Sequence, residues 1–261
     1  MNNKFNNFHM VDPSPWPIYM SLILMSALIS TFYSMSTTLS WGLFISLLMC
    51  FMIFFLWSRD VVRESLLQGN HTYKVISSIK FGMILFILSE VMFFFSFFWT
   101  FFHSSLNPSN EVGNMWPCWG VEAINPFTIP LLNTLILVSS GVTITYSHHM
   151  MLNQNFDLSF KWIMLTIFLG LYFTMLQFLE YKYSTFTIMD SIYGSIFFLA
   201  TGFHGLHVIV GSLMIMFSMI RLFNFHFSSK HHLIYEFSCW YWHFVDLVWL
   251  FLYIFIYWWG I

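Results

Sequence analysis

Hydrophobic residues run through this chain in long blocks, and polar residues gather in the segments between them. A helix needs about 20 apolar residues to cross the roughly 30 Å hydrocarbon core of a bilayer. Seven blocks meet or approach that length, at about 16–34, 41–57, 81–103, 129–150, 160–180, 191–221 and 233–258. The first two are the shortest. The pattern predicts an all-α membrane protein of seven transmembrane helices. Turn formers punctuate the connections: Pro108, Gly113, Pro117, Gly120, Pro126 and Pro130 mark the longest one, between helices three and four. No linker, low-complexity run or repeat divides the chain, so a single transmembrane domain over residues 1–261 is expected.

Composition sharpens this picture. Charged residues make up 8% of the chain and hydrophobic ones 58%, whereas soluble domains carry about 25% charged residues. Such a chain cannot cover its own surface in water. Aromatic residues, at 22%, suit lipid-facing surfaces and interfacial belts. The formal net charge of -2 gives no reason to expect a nucleic-acid partner. Cys50, Cys118 and Cys239 are far apart and odd in number, so they form neither a disulfide framework nor a CxxC site. Residues 1–7 are polar and run into Pro13, Pro15 and Pro17, which does not resemble a cleavable leader. The heavy use of Phe, Met, Ile and Asn suggests AT-rich coding and an organelle genome.

Lys and Arg set the expected orientation. With the N-terminus on side one, that side collects Lys4, Arg59, Arg63, Lys74, Lys80, Lys161, Arg221 and Lys230. The other side collects Lys182 alone. Side one is then the cytoplasm-equivalent side, the matrix in a mitochondrion. The C-terminus, with Trp258 and Trp259 as anchors, is expected on the opposite side.

Ionisable groups at membrane depth cost about 2.5–3.5 kcal/mol on insertion scales, so each needs a partner or a role. Glu90 lies roughly 15 Å along helix three at 1.5 Å per residue, near the bilayer centre. It reads as a proton-accepting site or ion ligand, or as a protonated acid bonded to a neighbouring helix. His204 and His207 in helix six, and His243 and Asp246 in helix seven, are spaced i, i+3 and share a face. They invite a metal or haem reading. The favoured reading is an interhelical polar network fastening helices six and seven, with Gly202, Gly205 and Gly211 allowing close approach. His148 and His149, adjacent at a helix end, read as interfacial.

A basic cluster forms a third constellation. Arg59, Arg63, His71 and Lys74 follow helix two, and Arg221, His226, Lys230, His231 and His232 lie between helices six and seven. Such clusters bind anionic lipid headgroups, or simply express the positive-inside bias. Arg59 and Arg63 share a helical face where a headgroup would lie. The sequence has no Walker A loop, GxGxxG, nucleophile elbow or CxxCH haem attachment.

Seven stretches in order carry a resemblance: FHMVDPSPWP at 8–17, RDVVRES at 59–65, GMILFILSEVMFF at 82–94, LLNT at 131–134, SGVTITYSHH at 140–149, DSIYGSIFFLATGFHGLHVIVG at 190–211 and WYWHFVDLVWLFLYIFIYWWG at 240–260. On these the chain resembles subunit III of mitochondrial cytochrome c oxidase over essentially its whole length. The resemblance implies a non-catalytic subunit of the proton-pumping oxidase that reduces oxygen with electrons from cytochrome c. It implies that haems and copper belong to partner subunits, with none bound by this chain. It implies a lipid-filled V-shaped cleft between helices one and two and helices three to seven. Arg63, Glu64, His71, Arg221 and His226 match the family's phospholipid contacts, and Glu90 its buried acid.

The expected roles are stabilising subunit I, the main contact among the oxidase subunits, sustaining proton uptake and shaping a lipid route for oxygen. The expected location is the mitochondrial inner membrane. Asn70 and Asn224 replace a frequent His and Lys of the family, and Cys118-Trp119 a Pro-rich pair. Rival readings are a stand-alone membrane haem protein using His204, His207 or His243, a transporter using Glu90 and Asp246, and a quinol-oxidase third subunit.

Overall fold

The computed structural model describes residues 11–37, 40–110 and 113–260. Lys4, residues 1–7 and the first three residues of the stretch at 8–17 lie outside the described residues. The described residues hold seven helices long and apolar enough to cross a membrane. They are α1 (Trp16–Ser36), α2 (Trp41–Leu66), α3 (Tyr73–Leu106), α4 (Ile129–Leu152), α5 (Phe156–Tyr183), α6 (Ile192–Phe223) and α7 (Leu233–Leu252). A π-helical turn, Tyr253–Trp258, continues α7.

Several helices outrun their apolar blocks. α2 continues through Arg59, Asp60, Arg63 and Glu64, and α3 begins at Tyr73 rather than near residue 81. Hydropathy marks only the length that lies in hydrocarbon. The backbone ladder continues into the polar interface, where charged side chains are solvated. Pro17 and Pro130 stand in the first turns of α1 and α4, where the missing N–H breaks no helical bond. Hydroxyls within the apolar spans donate to the carbonyl three residues earlier, as Ser21 does to Ile18, Ser26 to Ile23 and Thr31 to Leu28. This supplies the partner that lipid cannot.

The chain divides into two compact units, Met1–Phe81 and Gly82–Ile261, with the boundary inside α3. In the first unit α1 packs along α2. None of α1 is buried, and Ser46 alone is buried in α2. Lipid tails are as apolar as leucine, so such a pair is held by van der Waals and polar contact. The indole N–H of Trp16 donates to Asp60 Oδ2 at 2.8 Å, and Cys50 Sγ meets Met20 Sδ at 3.6 Å.

In the second unit α4 packs on α5 and α7, and α6 packs on α5 and α7. Its core is aromatic, with Trp242, Trp249, Tyr235, Tyr257, Phe173 and Phe197 fully buried. Trp242 of α7 is the central wedge. A Cβ on Gly170 of α5 would lie 2.7 Å from its ring, and one on Gly211 of α6 would lie 3.0 Å away. Its indole N–H donates to Ser140 Oγ of α4 at 2.9 Å. One side chain therefore touches three helices, and it leaves little room for a side chain at either glycine. Gly205 has nothing within 4 Å of its Cβ position and Gly202 only the Tyr181 hydroxyl at 4.0 Å. Of the three glycines expected to admit close approach, Gly211 does so.

Candidate functional site

The polar side chains at membrane depth do not converge on one centre. Glu90 of α3 and His207 of α6 meet, with Oε2 3.0 Å from Nε2. His207 Nδ1 lies 2.6 Å from the Phe203 carbonyl. A carbonyl only accepts, so Nδ1 carries a proton. The Nε2–Oε2 contact then holds one proton, on the acid or on the ring. In both states the pair is neutral overall, which is how two ionisable groups tolerate hydrocarbon together. The pair is enclosed by rings: Phe94 stands edge-on to His207 at 5.1 Å, and Tyr241 stacks at 6.2 Å.

His204, three residues before His207, takes another direction. It is 1% exposed and packs between Phe173 of α5 at 5.6 Å and Trp249 of α7 at 5.2 Å. Neither of its ring nitrogens has a hydrogen-bond partner within the chain.

His243 and Asp246 do share a face, and that face meets α4. A Cβ on Gly141 would lie 2.7 Å from Asp246 Oδ2 and 3.8 Å from His243 Nδ1. His243 is exposed on the chain surface, and Asp246 is half-buried. The expected network of His204, His207, His243 and Asp246 between α6 and α7 is therefore redistributed. His207 binds toward α3, His204 packs among rings of α5 and α7, and His243 and Asp246 turn to α4. Among the described residues no group of three or more His, Cys, Asp or Glu could hold a metal ion.

The basic cluster separates by unit. In the first, Arg59 Nη2 lies 3.1 Å and Arg63 Nη1 4.0 Å from Asp60 Oδ1. Asp60 thus stands between the two guanidinium groups while accepting from Trp16. Glu64 and His71 are partly buried at the end of α2 and in the turn that follows. In the second unit the Arg221 guanidinium lies 4.8 Å over the Phe227 ring. The His226 N–H donates to the Arg221 carbonyl at 3.0 Å, and its side chain is exposed.

Sequence reasoning passed over three features. Asp60 sits inside the basic stretch and was masked by its neighbours. His148, expected to be interfacial, has its Nε2 3.1 Å from Nε2 of buried His232, a contact between sequence-distant helix ends. Glu180 of α5 is 3% exposed and accepts from the Tyr257 hydroxyl at 2.6 Å. It lies at the end of an apolar block, before Tyr181 and Lys182, where charged residues are common.

The family model for cytochrome c oxidase subunit III matches residues 6–261. The chain belongs to the cytochrome c oxidase subunit III family. It is 52% identical over 264 residues to cytochrome c oxidase subunit 3 of Pelomedusa subrufa, covering 100% of both chains. It is 51% identical over 263 residues to that of Coturnix japonica, again covering 100% of both. Against the Pisaster ochraceus protein it is 52% identical over 256 residues, 97% of each chain. A subunit III chain works among other oxidase subunits, so its partners include those subunits. The seven spans agree with a multi-pass membrane protein of this family.

Proposed function

We propose that this chain is a non-catalytic core subunit of cytochrome c oxidase in the mitochondrial inner membrane. It stabilises the catalytic subunit I, binds phospholipids, and supports proton uptake and oxygen access. The N-terminus faces the matrix and the C-terminus the intermembrane space. Haems and copper belong to the partner subunits.

The observation that carries this reading is the way His207 is committed. One nitrogen serves the Phe203 carbonyl and the other Glu90, so neither is left for an axial bond to iron. His204 is 1% exposed and packed between two aromatic rings. Exposed His243 at membrane depth supports a protein neighbour on that face, because a polar ring facing lipid is costly and a partner subunit's polar group offsets that cost.

Lipid binding rests on Arg59, Arg63, Glu64 and His71 in the first unit and on Arg221 and His226 in the second. The Arg221 Nε is buried without a partner in the chain, which favours an anionic phosphate oxygen there. The test is lipid retention by the assembled oxidase in native mass spectrometry. Arg63→Gln with Arg221→Gln is expected to lower the number of retained phospholipids. Unchanged lipid counts would contradict the assignment.

A further inference from the structure

Asn133 of α4, Gln177 and Glu180 of α5, and Tyr257 of the C-terminal π-helical turn form a sealed polar cluster distinct from the Glu90–His207 pair. Asn133 is 0%, Gln177 4% and Glu180 3% exposed. Gln177 and Glu180 are spaced i, i+3 on one face of α5. Asn133 Nδ2 lies 3.5 Å from Gln177 Oε1, and the Tyr257 hydroxyl donates to Glu180 Oε1 at 2.6 Å. Asn133 Oδ1, Gln177 Nε2 and Glu180 Oε2 are buried and make no hydrogen bond of ordinary geometry, although the Gln177 side chain is near enough to the Glu180 carboxyl to interact with it. Buried polar atoms are almost always paired with protein or ordered water. Because these side chains are closed off within the chain itself, a partner subunit does not reach them.

With Glu180 ionised the set is one donor and two acceptors; with Glu180 protonated on Oε2 it is two donors and one acceptor. Turning both amides over exchanges their labels and leaves the same complement. A water molecule matches either state: it accepts one amide N–H, donates to one amide oxygen, and donates to the carboxylate or accepts from the carboxylic acid. A hard metal cation fits poorly, since it needs about six oxygen ligands and here meets an N–H.

We propose that an ordered internal water occupies this cluster and joins α4 and α5 to the C-terminal turn. The test is an electron cryomicroscopy map of the assembled oxidase in which ordered waters are resolved. A peak within hydrogen-bond distance of Asn133, Gln177 and Glu180 is expected. Gln177→Met, which keeps the side-chain length and removes the donor, is expected to lose it. An empty site in a map that shows waters elsewhere in the bundle overturns the proposal. So does a peak that strengthens when thallium(I) replaces sodium and potassium, since that marks a cation. Where Gln177→Met fails to assemble, the wild-type map decides alone.

Discussion

His207 Nε2 stands 3.0 Å from Glu90 Oε2, joining α6 to α3 across an aromatic enclosure. Neither group is tolerable alone at this depth, and together they need only one shared proton. Removing one leaves the other half-buried and unpaired, at about 1 kcal/mol or more. Glu90→Ala is expected to lower the thermal stability of the assembled complex by that order. Glu90→Gln, which can still donate to Nε2, is expected to lose less. Equal stability of wild type and Glu90→Ala, measured by heat-induced subunit dissociation, would contradict a fastening role.

Trp242 makes a second prediction possible. Gly170→Leu forces side-chain atoms into a ring that would already lie 2.7 Å from a Cβ. Overpacking of this kind costs about 1–3 kcal/mol or more. Gly205→Ala, with open space around its Cβ position, is expected to hold or raise stability, by up to about 1 kcal/mol. Comparing the two variants by detergent-resistant folding separates packing from helix propensity. Similar loss in both would refute the wedge.

The same tryptophan has a polar tether. Ser140→Ala removes the acceptor of its indole N–H and strands a donor in the core, costing about 1–3 kcal/mol. Ser140→Thr keeps the hydroxyl and is expected to retain more stability than Ser140→Ala. Near-ultraviolet circular dichroism during thermal unfolding reads both.

Much of this fold was legible in the sequence, because crossing a bilayer is a one-dimensional demand met by consecutive residues. The helix ends were less so, since α2 and α3 run on through charged residues that hydropathy assigns to loops. Partner choice was the least legible. A span that is apolar all round carries no periodic stripe to fix its rotation. His204 and His207, three residues apart, differ by about 60° around the helix. That offset is enough to send one toward α5 and α7 and the other toward α3. Glu90 was found because a charge at mid-membrane is costly wherever it points. Glu180 was not, because it ends its apolar block beside Tyr181 and Lys182, and nothing in that stretch shows that Tyr257, 77 residues on, covers it.

Asp60 offers a test of the basic surface. It stands between Arg59 and Arg63 and accepts from Trp16. Asp60→Asn removes its negative charge and keeps an acceptor for the indole. The variant is expected to retain more anionic phospholipid than wild type, as counted by native mass spectrometry at low salt, where surface charge is least screened. Unchanged or reduced retention would argue against a headgroup site at these arginines.

The central claim is that the buried polar groups of this chain bind helices to one another and hold no redox centre. The optical spectrum of the purified chain in detergent tests it most directly. No haem Soret absorbance is predicted. A stoichiometric haem retained through purification, and lost on replacing His204 or His243, would contradict it.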